Sequence, residues 1–321
     1  MIFDYQFRNY NFRALIYMIL LSVLGILVVG SASNQDRSSV IKQIIGVVVS
    51  LIICLVLSLI DYHQYFRFTT LIYVVCAGML AAVLLFGRTT KGATRWLRIG
   101  GIQIQPSEFV KIGLILILAN FLSRNREKIN EPKTLGMTAL ICVLPVGMVY
   151  LQPNLSTTIV ICFMILCMVY VAGISYKWIA GAVAVGIPGF AALIYLSLQG
   201  FIPFLQKYQA QRIMGKIFHS SSEFTDLNRQ QDNSMMAIGS GQLRGKGLFN
   251  NTLSSVKNGN FLSEEQTDFI FAVIGEELGF VGGVAVIALY ALLVYECLWI
   301  AARAKDTAGR LIASRVLPTL R

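Results

Sequence analysis

TLGMTALICVLPVGMVYLQPNLSTTIVICFMILCMVYVAGISY, residues 134–176, contains no charged side chain, and the architecture follows from it. A helix needs about 20 apolar residues to cross ~30 Å of hydrocarbon, so the stretch has room for two spans. Gln152-Pro153-Asn154 divides it, because proline lacks an N–H and clashes with the preceding turn. The predicted helices are 134–151 and 155–173. Spans of this kind are helical, since lipid offers a free backbone group no partner. Other uncharged runs predict helices at 14–31, 43–60, 68–86, 105–123, 178–198 and 268–302, the last able to bend at Gly279, Gly282 and Gly283. The expected fold is an all-α integral membrane protein, a polytopic bundle of about eight transmembrane helices. It forms a single domain over residues 1–321, with a large external loop, 199–267, between helices 7 and 8.

Composition agrees. The 321 residues are 56% hydrophobic and 13% charged, against about 25% charged in soluble domains. All six cysteines fall in apolar runs without CxxC spacing, which reads as small core residues. His63 and His219 sit in separate loops, so no metal site is expected. Arg8, Arg13 and an apolar stretch ending in Gly30-Ser-Ala-Ser33 have the outline of a signal peptide. More spans follow at once, so an uncleaved first helix is expected. With the N-terminus in the cytoplasm, inside segments hold thirteen lysines and arginines and the short outside loops seven. That bias places both termini in the cytoplasm.

Five of those outside positives cluster between Arg88 and Lys111. Lys91-Gly-Ala-Thr-Arg-Trp-Leu-Arg-Ile-Gly-Gly101 combines flexible glycines with Arg95, Arg98 and Trp96. Arginine forks match phosphate oxygens, and tryptophan suits the headgroup level. In the fourth helix Glu108 and Lys111 are three apart and share a face; ionisable groups inside membranes are usually functional. In the long loop, 204–218 interleaves apolar and basic residues and reads as a helix lying in the interface. Gly239-Ser-Gly-Gln-Leu-Arg-Gly-Lys-Gly247 resembles a nucleotide-binding loop but fails it: the glycines are one residue too close, and Gly247 stands where Ser or Thr must bind magnesium. Backbone flexibility beside a substrate is the expectation there. Asp268 falls at the outer end of the eighth helix, where capping alone would also favour a carboxylate. Glu276 and Glu277 lie ~12 Å further along and point about 100° apart, so they need separate partners; Lys111 could serve one of them if the fourth and eighth helices touch. Cations, one exposed carboxylate and apolar walls suit sugar transfer from a lipid-linked diphosphate, the carboxylate accepting the proton of the attacking hydroxyl. Lipid transport would use a similar set.

Six stretches, read in order, resemble the SEDS family (shape, elongation, division and sporulation; FtsW, RodA and SpoVE): Gly30-Ser-Ala-Ser33, Lys91-Gly-Ala-Thr-Arg-Trp-Leu-Arg98, Gln105-Pro-Ser-Glu-Phe-Val-Lys111, Gln152-Pro-Asn154, Asn233-Ser-Met-Met-Ala-Ile-Gly-Ser-Gly241 and Gln266-Thr-Asp-Phe-Ile-Phe-Ala-Val-Ile-Gly-Glu-Glu-Leu-Gly279. The wording around Asn233 and Gly259 looks more like the elongation branch than the division branch. The resemblance implies a peptidoglycan glycosyltransferase that polymerises lipid II at the outer face of the plasma membrane. It implies a class B penicillin-binding protein as transpeptidase partner, other elongation-complex proteins, and no nucleic acid. Asp268 would be the catalytic carboxylate, acting by single displacement with inversion. Lys111, Glu108, Trp96, Arg95, Arg98 and Lys91 would bind substrate, with Glu276, Glu277, Gln152 and Asn154 supporting. No cofactor is identified, and a divalent cation stays open as an aid to the leaving group. Asn154 stands where the family usually has Asp, which keeps hydrogen bonding but removes charge. The family usually has ten helices, and nothing after Ala308-Gly-Arg-Leu-Ile-Ala313 matches its last pair, so a form shortened near Ser314 is expected. Two other readings compete: a flippase for a polyprenyl lipid, supported by Glu276 and Glu277, and a non-catalytic scaffold for the transpeptidase.

Overall fold

The computed structural model describes residues 10–33, 36–90, 93–99, 102–198, 225–250, 255, 265–304 and 306–313. The helices are α1 (Phe12–Ala32), α2 (Arg37–Ser58), α3 (Tyr62–Phe66), α4 (Thr69–Phe86), α5 (Pro106–Arg124), α6 (Pro132–Leu151), α7 (Leu155–Ala172), α8 (Tyr176–Leu198), α9 (Thr225–Ser240), α10 (Ile270–Arg303) and α11 (Thr307–Ala313). All eight expected spans are helices here. Seven of them, among the described residues, are long and apolar enough to cross a membrane, and α8 occupies the remaining expected position. Large apolar side chains stay exposed along them, such as Ile45, Val74, Leu140 and Leu166, which is surface that lipid covers. The expected bend is present: Gly279 is non-helical at φ 69°, ψ −166°.

The chain divides into two compact units. One comprises Phe3–Leu59 and Gly189–Glu296. In it α1 lies along α10, with Val28 and Ala32 packed on Val273, Ile274 and Val286. Polar pairs tie both ends of α1 to the same helix. Asn11 caps α1 by accepting from the N–H groups of Arg13 and Ala14, while its Nδ2 donates to Glu296 at 2.8 Å. At the other end the Ser31 hydroxyl donates to Glu277 at 2.6 Å.

The other unit comprises Ile60–Pro188 and Cys297–Arg321. Its centre is α5, where Leu114, Leu118 and Leu122 pack with Leu80, Ile161, Met164, Met168 and Leu311. A helix apolar on all sides is a buried one. Gly113 sets how closely α4 and α5 approach: a Cβ there would lie 2.5 Å from Cys76 Sγ and 3.2 Å from Ile72 Cγ2. Gly113→Val is therefore expected to lower stability by about 1–3 kcal/mol through overpacking. Gly136→Ala, at a helical site with nothing within 4 Å of the new Cβ, should not. Melting in detergent would compare them, and a parent-like Gly113→Val would contradict the close approach. At the far end of this unit α11 is held by Tyr62, whose hydroxyl donates to Asp306 at 2.5 Å. Burial, and then the carboxylate, push the Tyr62 hydroxyl well above the usual tyrosine range.

Three strands follow α4: β1 (Arg88–Thr90), β2 (Ala93–Ile99) and β3 (Ile102–Ile104), antiparallel in the order β1-β2-β3. The segment expected to be a flexible glycine loop is thus largely a pleated strand, pinned by pairing on both edges.

Candidate active site

Asp268 stands in the turn at residues 265–269 and its side chain is exposed. The turn is closed against the helix that follows. Phe269 packs on Ala237 of α9 and on Ala272, and the Ala272 N–H donates to the Phe269 carbonyl at 2.9 Å. The direction of the first segment of α10, residues 270–278, therefore sets where this carboxylate sits.

That segment ends at Gly279, and the break is filled by other backbone. The turn after α9 exchanges hydrogen bonds with it in both directions. Lys246 N–H donates to Glu276 O and Gly247 N–H to Glu277 O, both at 2.9 Å. Phe280 N–H donates to Gln242 O at 2.8 Å and Val281 N–H to Leu243 O at 3.2 Å. In an unbroken helix the Glu276 and Glu277 carbonyls would accept from Phe280 and Val281. Irregular backbone in a membrane protein is tolerated where protein satisfies it, and residues 241–247 do that here. The expectation of a flexible stretch beside substrate is corrected: Gly241 and Gly245 are there because a Cβ on either would strike the α10 backbone, at Gly275 O and Glu277 O respectively.

Glu276 and Glu277 are both buried, and each has a partner within its own unit. Glu276 pairs with Lys246 Nζ at 2.7 Å. Glu277 accepts from Ser31, whose Oγ in turn accepts from the Phe249 N–H at 3.0 Å. Lys246 and Ser31 are the residues that the sequence concealed. Lys246 belonged to a phosphate-loop resemblance rejected on its glycine spacing and on Gly247, and Ser31 to a run of small residues.

In the other unit, Lys111 is buried and pairs with Glu108 at 2.8 Å, the Glu108 side chain being 54% exposed. The spacing that predicts this pair works because both lie in one helical turn started by Pro106. On β2, Trp96 and Arg98 share one face and are exposed. Arg95 lies on the other face, and its Nη2 donates to the Pro153 carbonyl, tying the sheet to the α6–α7 turn. Gln152 is buried and donates to Leu80 O at 3.3 Å. Asn154 caps α7 by accepting from Thr157 N–H. A cap needs an acceptor oxygen and no charge, so Asn serves there as Asp would. Lys91, the 204–218 stretch and residues 314–321 lie outside the described residues.

The family model for the FtsW/RodA/SpoVE cell cycle proteins matches residues 12–320. The peptidoglycan glycosyltransferase MrdB of Escherichia coli (strain K12) is 36% identical over 305 residues, covering 94% of this chain and 79% of that protein. Among solved structures, a chain of a peptidoglycan synthase complex, described for its structural coordination of polymerization and crosslinking, superposes with a TM-score of 0.77 at 25% identity, over 97% of this chain and 84% of that one. The Thermus thermophilus rod shape determining protein RodA gives a TM-score of 0.67 at 25% identity, over 98% and 82%. With the match running from residue 12 to residue 320, the protein belongs to the FtsW/RodA/SpoVE family of cell cycle proteins.

Proposed function

We propose that this chain is a peptidoglycan glycosyltransferase that polymerises lipid II at the outer face of the plasma membrane, in support of cell shape. The observation that carries the reading is Asp268, an exposed carboxylate at the head of a helical segment whose direction is fixed by a second piece of chain. Asp268 accepts the proton of the attacking sugar hydroxyl as that oxygen bonds to the anomeric carbon of the donor. The bond from that carbon to the diphosphate breaks, and the polyprenyl diphosphate leaves as an anion. With one carboxylate so placed, the displacement is single and inverts the centre. Lys111 with Glu108, Trp96 and Arg98 on β2, and Lys91 bind the donor's charged and apolar parts. Arg95, Gln152 and Asn154 support them by holding the sheet and the α6–α7 turn. The chain works as one membrane domain with both termini cytoplasmic and 199–267 outside, an orientation supported by the lysine and arginine bias. Its partner is a class B penicillin-binding protein, a reading supported by the likeness to a chain of a peptidoglycan synthase complex.

The transporter reading drew on Glu276 and Glu277. Their engagement by Lys246 and Ser31 gives both carboxylates a structural use and takes that support away. Reconstitution in vesicles with lipid II and the penicillin-binding protein tests the proposal. Glycan strands are the expected product; lipid II flipped across the vesicle membrane without strands would sink it.

A further inference from the structure

The first segment of α10 is a short rod hinged on a glycine, and two braces hold it from different sides. Glu276 and Glu277 are adjacent, so they leave the rod about 100° apart. Glu276 is gripped by Lys246 of the 241–247 turn, and Glu277 by Ser31 of α1. Either brace alone would leave one direction of tilt open. The backbone exchange at Gly279 fixes the foot of the rod, and Val273 and Ile274 already pack on α1. Holding the fold together therefore does not call for an ion pair. A buried pair is a poor source of stability in any case, because desolvation offsets its attraction and apolar replacement is often neutral. Angle is what the pair adds. Ile270, at the outer end of the rod, lies about 13 Å from the Gly279 hinge along the axis, so a ~10° tilt would displace it, and Asp268 just beyond it, by about 2 Å.

We infer that Lys246 and Glu276 are positioning residues for Asp268: their ion pair, partly buried on the lysine side and fully on the carboxylate side, fixes the tilt of residues 270–278 and so aims the exposed carboxylate. The inference deepens the glycosyltransferase reading and rests on it.

The test replaces the pair as a whole, since Lys246→Met alone would deprive a buried carboxylate of this cation. The double variant Lys246→Met/Glu276→Leu is compared in vesicles with the parent and with Lys246→Arg, which keeps the cation. The double variant is expected to melt close to the parent yet lose about 10- to 100-fold in kcat, the scale of a small misplacement, with KM for the lipid substrate unchanged. Lys246→Arg should recover most of the rate. Spin labels at Gln266→Cys and Leu243→Cys, both on exposed positions, read the geometry without reference to activity. Their distance distribution should broaden in the double variant and not in Lys246→Arg. A folded double variant with parent-like kcat, or one whose loss lies in KM, would overturn the inference. If the parent makes no polymer, the glycosyltransferase reading fails instead, and the spin-label distances decide alone: a broadened distribution upholds the positioning role and an unchanged one removes it.

Discussion

Asp268→Asn is expected to abolish glycan strand formation while leaving the melting temperature of the purified chain where it was. The two outcomes separate because the side chain is exposed, so the substitution removes little buried contact. Asparagine keeps the shape and an accepting oxygen but cannot take up a proton at neutral pH. A positioned general base contributes about 10²–10⁴ in rate, and the loss should fall in that range or pass below detection. Strand length on gels with labelled lipid II reads it directly. Parent-like polymer from the asparagine variant would move the base elsewhere, and Glu108, the half-exposed partner of Lys111, would be examined next.

Gly279→Ala should be the most damaging single-methyl change in the described helices. At φ 69°, ψ −166° the residue occupies a region that is essentially reserved for glycine, and strain of this kind costs about 1–3 kcal/mol. The new Cβ would also collide with the Gly245 N and lie 2.7 Å from Arg244 C and Leu243 O. Relief would require either expelling the turn, which orphans the Glu276 and Glu277 carbonyls together with the N–H groups of Phe280 and Val281, or straightening α10, which pairs those groups within the helix but orphans the Lys246 and Gly247 N–H groups and the Gln242 and Leu243 carbonyls. A buried group left unbonded costs about 1–3 kcal/mol, so a total well above 3 kcal/mol is expected. Gly46→Ala in α2, where nothing lies within 4 Å, supplies the comparison, and both are read by thermal melting in detergent. A Gly279→Ala chain as stable as Gly46→Ala would mean that the break is not required.

What the sequence discloses and what it hides divide by distance along the chain. Spans are legible because the bilayer imposes a length and excludes charge, and the helix ends fall within two residues of the runs that predicted them, except that α2 starts six residues earlier, at Arg37, taking in Arg37 and Lys42. Glu108 and Lys111 are legible because a pair three residues apart on a helix has little choice but to meet. The strands at 88–104 are not, because they are short and interrupted by glycine. Helix α9 escaped too: its sequence is polar on average and carries charge, unlike the uncharged runs that announce the spans. Lys246 with Glu276, and Ser31 with Glu277, join residues far apart in sequence, and no local pattern encodes such meetings. The bend at Gly279 lay between the two cases: glycine announced that α10 could break, but only the neighbouring turn explains how the break is satisfied.

The exchange of hydrogen bonds between that turn and α10 bears on how the protein is made. Left to itself, 270–303 would form a continuous rod of about 51 Å at 1.5 Å per residue, far longer than the ~30 Å of hydrocarbon it must cross. Synthesis runs from the N-terminus, so residues 241–247 leave the ribosome before the helix does. The turn can then act as an internal template, capturing Glu276 and Glu277 as they arrive and halting the helix at the membrane's edge. On this view the membrane-crossing part of α10 begins near Phe280, and a chain whose turn is scrambled would still insert but would emerge with one helix too tall for its membrane.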